Sequence, residues 1–152
     1  MSANSFVPDD FEVPDGVAGD RFRLTPLGPE HNDADHAAWT SSIEHIRATP
    51  GFEGASWPRP MSLAENLDDL KRHRNDYDTR RGFTYSVLDN TGEVIGCVYI
   101  YPSDKPGVDA RVHSWVRASR EQMDQPLWTT VSGWLNSSWP FDEFDYAPRS
   151  PA

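Results

Sequence analysis

Residues 83–101 read FTYSVLDNTGEVIGCVYIY, and this stretch decides the architecture. Phe83, Tyr85 and Val87 alternate with Thr84 and Ser86, the period-two pattern of a strand. Asp89-Asn90-Thr91-Gly92 is turn chemistry. Glu93 to Tyr101 then runs almost wholly apolar, so this second strand has both faces covered and belongs in the middle of a sheet. Gly96 inside it marks a bulge or a close backbone approach.

Downstream, Ser103 to Gly107 reads as a loop and Ala110 to Ala118 as a third strand of a meander. On it Arg111, His113, Trp115 and Arg117 share one face, and Val112, Ser114 and Val116 the other. Leu127, Trp128, Val131, Trp134 and Leu135 recur at helical spacing. Thr129, Thr130, Ser132 and Gly133 are poor helix formers, so that helix must be held by its buried face. Trp139-Pro140 closes it, and Glu143 to Tyr146 suits one short final strand.

Upstream, Arg21 to Leu27 alternates as a strand that Gly28-Pro29 ends. One helix is expected from Pro29–Asp33 to Thr49, with Trp39, Ile43 and Ile46 on its apolar stripe. The segment Phe52 to Pro60 is a loop carrying Trp57. Ser62 and Glu65 have the spacing of a capping box for a second helix, with Leu63, Leu67 and Leu70 on one face and Asp68 placed to pair with Arg72. Residues 1–20 form an acidic, Pro- and Gly-rich arm with isolated apolar residues at Phe6, Phe11 and Val13. The order is strand, helix, helix, three strands, helix, strand. This is an α/β (α+β) domain over residues 21–147, with a mainly antiparallel central sheet, helices on both faces and a last strand parallel to its neighbour.

The chain has 152 residues, a net charge of −10, and six Trp, seven Phe and five Tyr. That aromatic content argues for a packed core rather than disorder. The acidity disfavours phosphate backbones and anionic lipid, so no nucleic acid and no membrane partner is expected. No stretch approaches the length of a membrane span, no secretory leader is evident, and the cytoplasm is the expected location. No metal site is expected. His31 and His36 fall on different faces of a helix, and His45, His73 and His113 have no cysteine partners at ligand spacing. Cys97, the single cysteine, falls in the central strand and lacks the electropositive setting of a reactive thiol. Ser114 and His113 are strand neighbours that point to opposite faces, so they are not a catalytic pair.

Three stretches resemble the GNAT family of N-acetyltransferases, and together they span about residues 21–147. FRLTPLGPEHNDADHAAW is similar to the first strand and helix of the ribosomal-protein acetyltransferase branch. FTYSVLDNTGEVIGCVYIYP is similar to the central hairpin, and ARVHSWVRASREQMDQPLW stands where the family has its cofactor strand, loop and helix. The resemblance implies acetyl-CoA as co-substrate, its pantetheine arm lying along a strand that splays from its neighbour and its pyrophosphate at the following helix N-terminus. The residues it places there are Val116, Arg117, Ala118, Arg120, Gln122, Gln125 and Leu127. The family's glycines are missing from that loop. Arg120 to Pro126 contains none, Pro126 lacks an amide donor, and Glu121 and Asp124 bring negative charge where a pyrophosphate would sit. Arg117 and Arg120 either meet phosphates or offset those acids. The family also continues with a further helix and strand pair, which this sequence, ending soon after Tyr146, is expected to lack. A short last strand then leaves an edge through which a homodimer could form.

The resemblance implies attack of an amine, on a small molecule or a peptide, on the thioester, with a base removing the proton and backbone amides polarising the carbonyl. His113 is the candidate base, its ordinary pKa suiting the task; Glu44 and Asp109 are weaker candidates. Phe83, Tyr99, Tyr101 and Trp115 either line the acceptor site or pack the core. Two functions stay open: an acyl-CoA-dependent N-acetyltransferase, or a catalytically inactive GNAT-like binding or dimerisation module. An open gap between the strand ending at Ala118 and the last strand goes with the first; a filled gap goes with the second.

Overall fold

The computed structural model describes residues 5–149. Five strands form one sheet in the order of the chain: β1 (Phe22–Pro26), β2 (Phe83–Asp89), β3 (Val94–Pro102), β4 (Ala110–Val116) and β5 (Phe144–Tyr146). Neighbours are antiparallel except β4 and β5, which run parallel. The apolar run of β3 sits at the centre, as its double-sided hydrophobicity requires. Gly96 pairs with Val87 on one side and Val116 on the other, beside a register shift at Val87/Leu88. A Cβ on Gly96 would run into the Trp115 carbonyl oxygen, so the glycine serves both a bulge and a close approach.

Four helices flank the sheet: α1 (Asn32–Thr40), α2 (Ile43–Arg47), α3 (Leu63–Asp78) and α4 (Asp124–Ser138). The single helix expected from Pro29 to Thr49 is instead a 3₁₀ turn at Pro29–His31 followed by α1 and α2. The break falls at Ser41-Ser42. Thr40 Oγ1 donates to the His36 carbonyl at 2.6 Å and Ser41 Oγ to the Ala38 carbonyl at 2.9 Å, competing for the oxygens that would carry the helix on. The capping box of α3 forms as its spacing predicts: Glu65 N donates to Ser62 Oγ at 3.1 Å, and Ser62 N to Glu65 Oε1 at 2.9 Å. Arg72 pairs with Asp69 at 3.3 Å rather than with Asp68. The stretch after β4 is not an open loop; Ala118–Met123 winds as 3₁₀ turns and Asp124 opens α4.

Each face of the sheet has its own core. On one, Trp39, Ile46 and Leu70 from α1–α3 cover Cys97 and Trp115. On the other, Leu127, Val131 and Leu135 of α4, all fully buried, cover β3 and β4 and hold that helix despite its weak propensity. The remainder of this second face is covered by residues 5–17. Phe6 stacks between Phe83 and Phe141 at centroid distances of 5.9 and 5.2 Å, and Phe11 meets Trp139 at 5.5 Å. Tyr85 donates to the Pro14 carbonyl at 2.6 Å, and Arg80 donates to the carbonyls of Pro8 and Phe11 at 2.6 and 3.0 Å. No described helix is long and apolar enough to cross a membrane.

Candidate functional site

Two features of the sheet compete for a functional reading, one on each side of β4. The first is the groove between β4 and β5. The two strands pair only over Ala110–Val112 and Phe144–Tyr146, while β4 runs on to Val116. The space beyond holds the Arg149 side chain, whose residue is 6% exposed. Its Nη2 donates to the Ser114 carbonyl at 2.8 Å, its Nη1 to the Ala147 carbonyl at 2.7 Å, and its Nε to Asp124 Oδ2 at 2.7 Å. Ser114 Oγ and the Tyr146 hydroxyl are 2.6 Å apart, and the Tyr146 ring lies 6.0 Å from that of Trp128. Burial pushes the Tyr146 hydroxyl up to about 12. Asp124 is the first residue of α4, where the helix dipole and unpaired amides favour an anion. The chain therefore supplies its own carboxylate at the helix N-terminus and its own cation to link that carboxylate to β4. Asp124 Oδ1 and Trp128 Nε1, one helical turn apart, are buried without a partner among the described residues.

The residues expected to hold a cofactor are dispersed. Val116 and Leu127 are core. Ala118 N donates to Ser42 Oγ at 2.8 Å. Gln122 is exposed, and Gln125 donates to Thr129 at 3.0 Å. Arg120 reaches Asp89 at 2.7 Å and Glu93 at 3.2 Å, and Arg117 lies 3.7 Å from Glu93. Both arginines thus serve the β2–β3 turn rather than Glu121 and Asp124. The Asp89 carboxyl, bonded by Thr91 and Glu93 as well as Arg120, is held well below the usual carboxylate range.

The second feature is a cavity of about 480 Å³ on the opposite face, between α1, α3, the loop after α2 and the sheet. Trp57, from that loop, packs its ring 5.3 Å from Trp39, 6.0 Å from Phe52 and 6.5 Å from Tyr99. The loop is tied down by Arg47 Nε donating to the Pro58 carbonyl at 3.1 Å, and by His36 Nε2 bonded to the Met61 carbonyl at 2.8 Å. Asp35 lines the cavity and is 4% exposed. Its Oδ2 accepts from Asn66 Nδ2 at 3.1 Å, and Asn66 Oδ1 accepts from Trp39 Nε1 at 3.0 Å. Burial raises the Asp35 carboxyl from 3.8 to about 6. His73 also lines the cavity. Its Nδ1 lies 2.9 Å from the Tyr101 hydroxyl, which donates to Asp76 Oδ2 at 2.8 Å. Burial, and then the Arg72 charge, lower the His73 imidazole to about 4.

The sequence-derived site residues divide between these places. His113 and Tyr99 line the cavity. His113 faces Phe52 at 5.5 Å, and burial followed by the Arg111 charge lowers its pKa. Tyr101 supports His73 from behind. Trp115 is fully buried beneath Trp57 and donates to the Tyr99 hydroxyl at 2.9 Å. Phe83 lies across the sheet in the α4-side core. Glu44 is exposed and pairs with Arg47 at 3.4 Å, while Asp109 accepts from Asp142 N at 2.8 Å and Glu143 N at 3.3 Å, leading the chain into β5. Asp35, His73 and Arg149 carry the polar architecture of the two features, and none was singled out by its sequence setting.

No family model matches the sequence, and no curated protein matches it. Solved structures do match by fold. Mycobacterium smegmatis RimJ in complex with CoA-disulfide is 16% identical, with 82% of this chain and 63% of that chain covered and a TM-score of 0.65. The ribosomal L7/L12 α-N-protein acetyltransferase RimL is 13% identical, with 86% and 67% covered and a TM-score of 0.62. The microcin C7 self-immunity acetyltransferase MccE, in complex with acetyl-CoA and AMP, is 11% identical, with 82% and 66% covered and a TM-score of 0.60. The chain spans about two thirds of the length of each. At such low identity the likeness is one of architecture, and the architecture of this chain is that of the GNAT acetyltransferases.

Proposed function

We propose that the protein is a small-ligand binding module on a GNAT acetyltransferase fold, with its acyl-CoA groove closed from within and its ligand taken in the cavity beside α1 and α3. The observation that carries this reading is Arg149, which bridges Ser114 of β4 and Asp124 of α4 across the space a pantetheine arm and pyrophosphate would need. The glycine-free turn supports it. The Ala118 amide already has a partner in Ser42, and Asp124 holds the anion-favouring position of α4. Fold does not fix function, so likeness to acetyltransferases leaves room for a module without the transfer step.

A second reading is favoured by the same likeness. The proteins it resembles are acetyltransferases, and RimJ, RimL and MccE have each been solved with acetyl-CoA or coenzyme A. In that reading residues 146–149 move aside, acetyl-CoA enters, and His113 or His73 takes a proton from an amine on a small molecule or peptide. Calorimetric titration of the wild-type chain with acetyl-CoA, beside Arg149→Ala, separates the two. The binding-module reading expects no heat and no rise in Tm at millimolar ligand. Saturation of the wild type, with a stability gain near the ~2.7 kcal/mol that ligand at 100 times Kd confers, overturns it in favour of the transferase. Pairing of two copies through the short β5 edge is a separate proposal; sedimentation equilibrium showing a monomer at all concentrations rejects it.

A further inference from the structure

Resting on the reading of the cavity as the ligand site, we infer that its ligand is a small zwitterion of the α-amino-acid type, with its primary ammonium inward against Asp35 and its acidic group outward toward Arg59 and Arg111. The inner end is built for a cation with N–H donors. Asp35 is buried with a single side-chain donor, Asn66, on one of its two oxygens; Oδ1 has no hydrogen bond among the described residues. A carboxylate this deep is normally paired, and Asn66 is neutral.

His73 adds a second acceptor to the cavity lining. The Tyr101 hydroxyl gives its proton to Asp76, so its oxygen accepts from His73 Nδ1–H, with Thr84 Oγ1 a second, longer acceptor at 3.2 Å. That assigns the proton to Nδ1 and leaves Nε2 with a lone pair and no partner among the described residues. The imidazole is neutral at physiological pH and can only accept there. A quaternary ammonium has no N–H for that lone pair, whereas a primary ammonium has three. The rings of Trp39, Trp57, Phe52 and Tyr99 supply the aromatic wall that attracts a cation through the ring quadrupole.

The outer end has the opposite sign. Arg72 is already paired with Asp69. Arg59 and Arg111 line the same cavity, are exposed, and form no ion pair among the described residues. Guanidinium forks match a carboxylate or a phosphate monoester. The volume of about 480 Å³ suits a molecule the size of an aromatic amino acid.

Calorimetry or ligand-observed NMR with L-phenylalanine, phenethylamine and phenylacetate tests this. The expected order is phenylalanine tightest, phenethylamine weaker, phenylacetate weakest. The exposed double variant Arg59→Gln/Arg111→Gln should weaken phenylalanine about tenfold and leave phenethylamine unchanged. Asp35→Asn, with folding checked by circular dichroism, should weaken both amines by tenfold or more. Phenylacetate binding as tightly as phenethylamine, an unchanged ratio of phenylalanine to phenethylamine affinity in the double variant, or no binding of any probe at 10 mM overturns the inference. Acetyl-CoA binding by the wild type overturns the closed-groove reading instead, so the two failures are distinguishable.

Discussion

Arg149 Nε lies 2.7 Å from Asp124 Oδ2, joining a residue that follows the last strand to the first residue of α4. The arginine side chain is only 3% exposed and the aspartate 21%. A charge this deep depends on its partner, because removing one member leaves the other desolvated. Arg149→Ala should therefore destabilise the protein by about 3 kcal/mol. Asp124→Asn should cost at least as much as Arg149→Ala, because it leaves the deeper guanidinium, which cannot shed its proton, without a counter-charge. Urea unfolding of both variants checks the order, and equal stability of all three chains contradicts it.

Asp35 and His73 tilt the pH dependence in opposite directions. Asp35 is raised from 3.8 to about 6, so the stability it adds is full below 3.8 and is lost as pH rises through 6. His73 is lowered from 6.5 to about 4, so its contribution is full above 6.5 and is lost as pH falls through 4. Each displacement is worth about 3 kcal/mol, so the two nearly offset one another in the wild type. Asp35→Asn leaves the His73 slope uncovered, and its stability should fall steadily from pH 6.5 to 4. His73→Gln should show the reverse slope. Denaturant midpoints across that range measure both.

Asn66 holds the Trp39 indole and the Asp35 carboxylate together from α3. Asn66→Ala strands a buried donor on Trp39 and removes the one side-chain donor to Asp35. The expected loss is about 2–3 kcal/mol, with a further rise in the Asp35 pKa that carbon-detected NMR titration would register.

Gly96→Ala sets a methyl against the Trp115 carbonyl, a backbone atom held by the β3–β4 ladder. Neither partner can yield without breaking pairing, so the variant should lose about 1–3 kcal/mol. By contrast Gly54→Ala, whose added Cβ meets nothing within 4 Å, should lose only what its φ of +74° imposes. A comparison of their melting temperatures distinguishes crowding from backbone strain.

Much of the fold was legible because it is local or periodic. The hairpin at 83–101, its central second strand and the Ser62–Glu65 cap each depend on residues a few positions apart. The break between α1 and α2 was hidden because Trp39, Ile43 and Ile46 keep helical phase across it, while the hydroxyls that end α1 are polar and small. The site was less legible. Tyr99 and His113, placed near the acceptor by the resemblance, line one cavity, but Phe83 lies across the sheet from them. Arg117 and Arg120 looked free for phosphates until the fold brought Asp89 and Glu93 beside them. Arg149 meets Ser114 and Asp124 across 35 and 25 residues of chain, and no local pattern encodes that contact. Asp35 and His73 look like ordinary helix-surface charges until the fold sets them in one cavity with Trp57.

The strip of chain from Phe6 to Val17 has a practical consequence for anyone shortening this protein. Its Phe6 and Phe11 rings pack on Phe83 and Trp139, beside Tyr77 and Phe141. A version starting at Asp20 would bare that aromatic face to water, and an exposed patch of that kind makes copies cling to one another. Such a truncation should turn a well-behaved solution cloudy at concentrations where the intact chain stays clear.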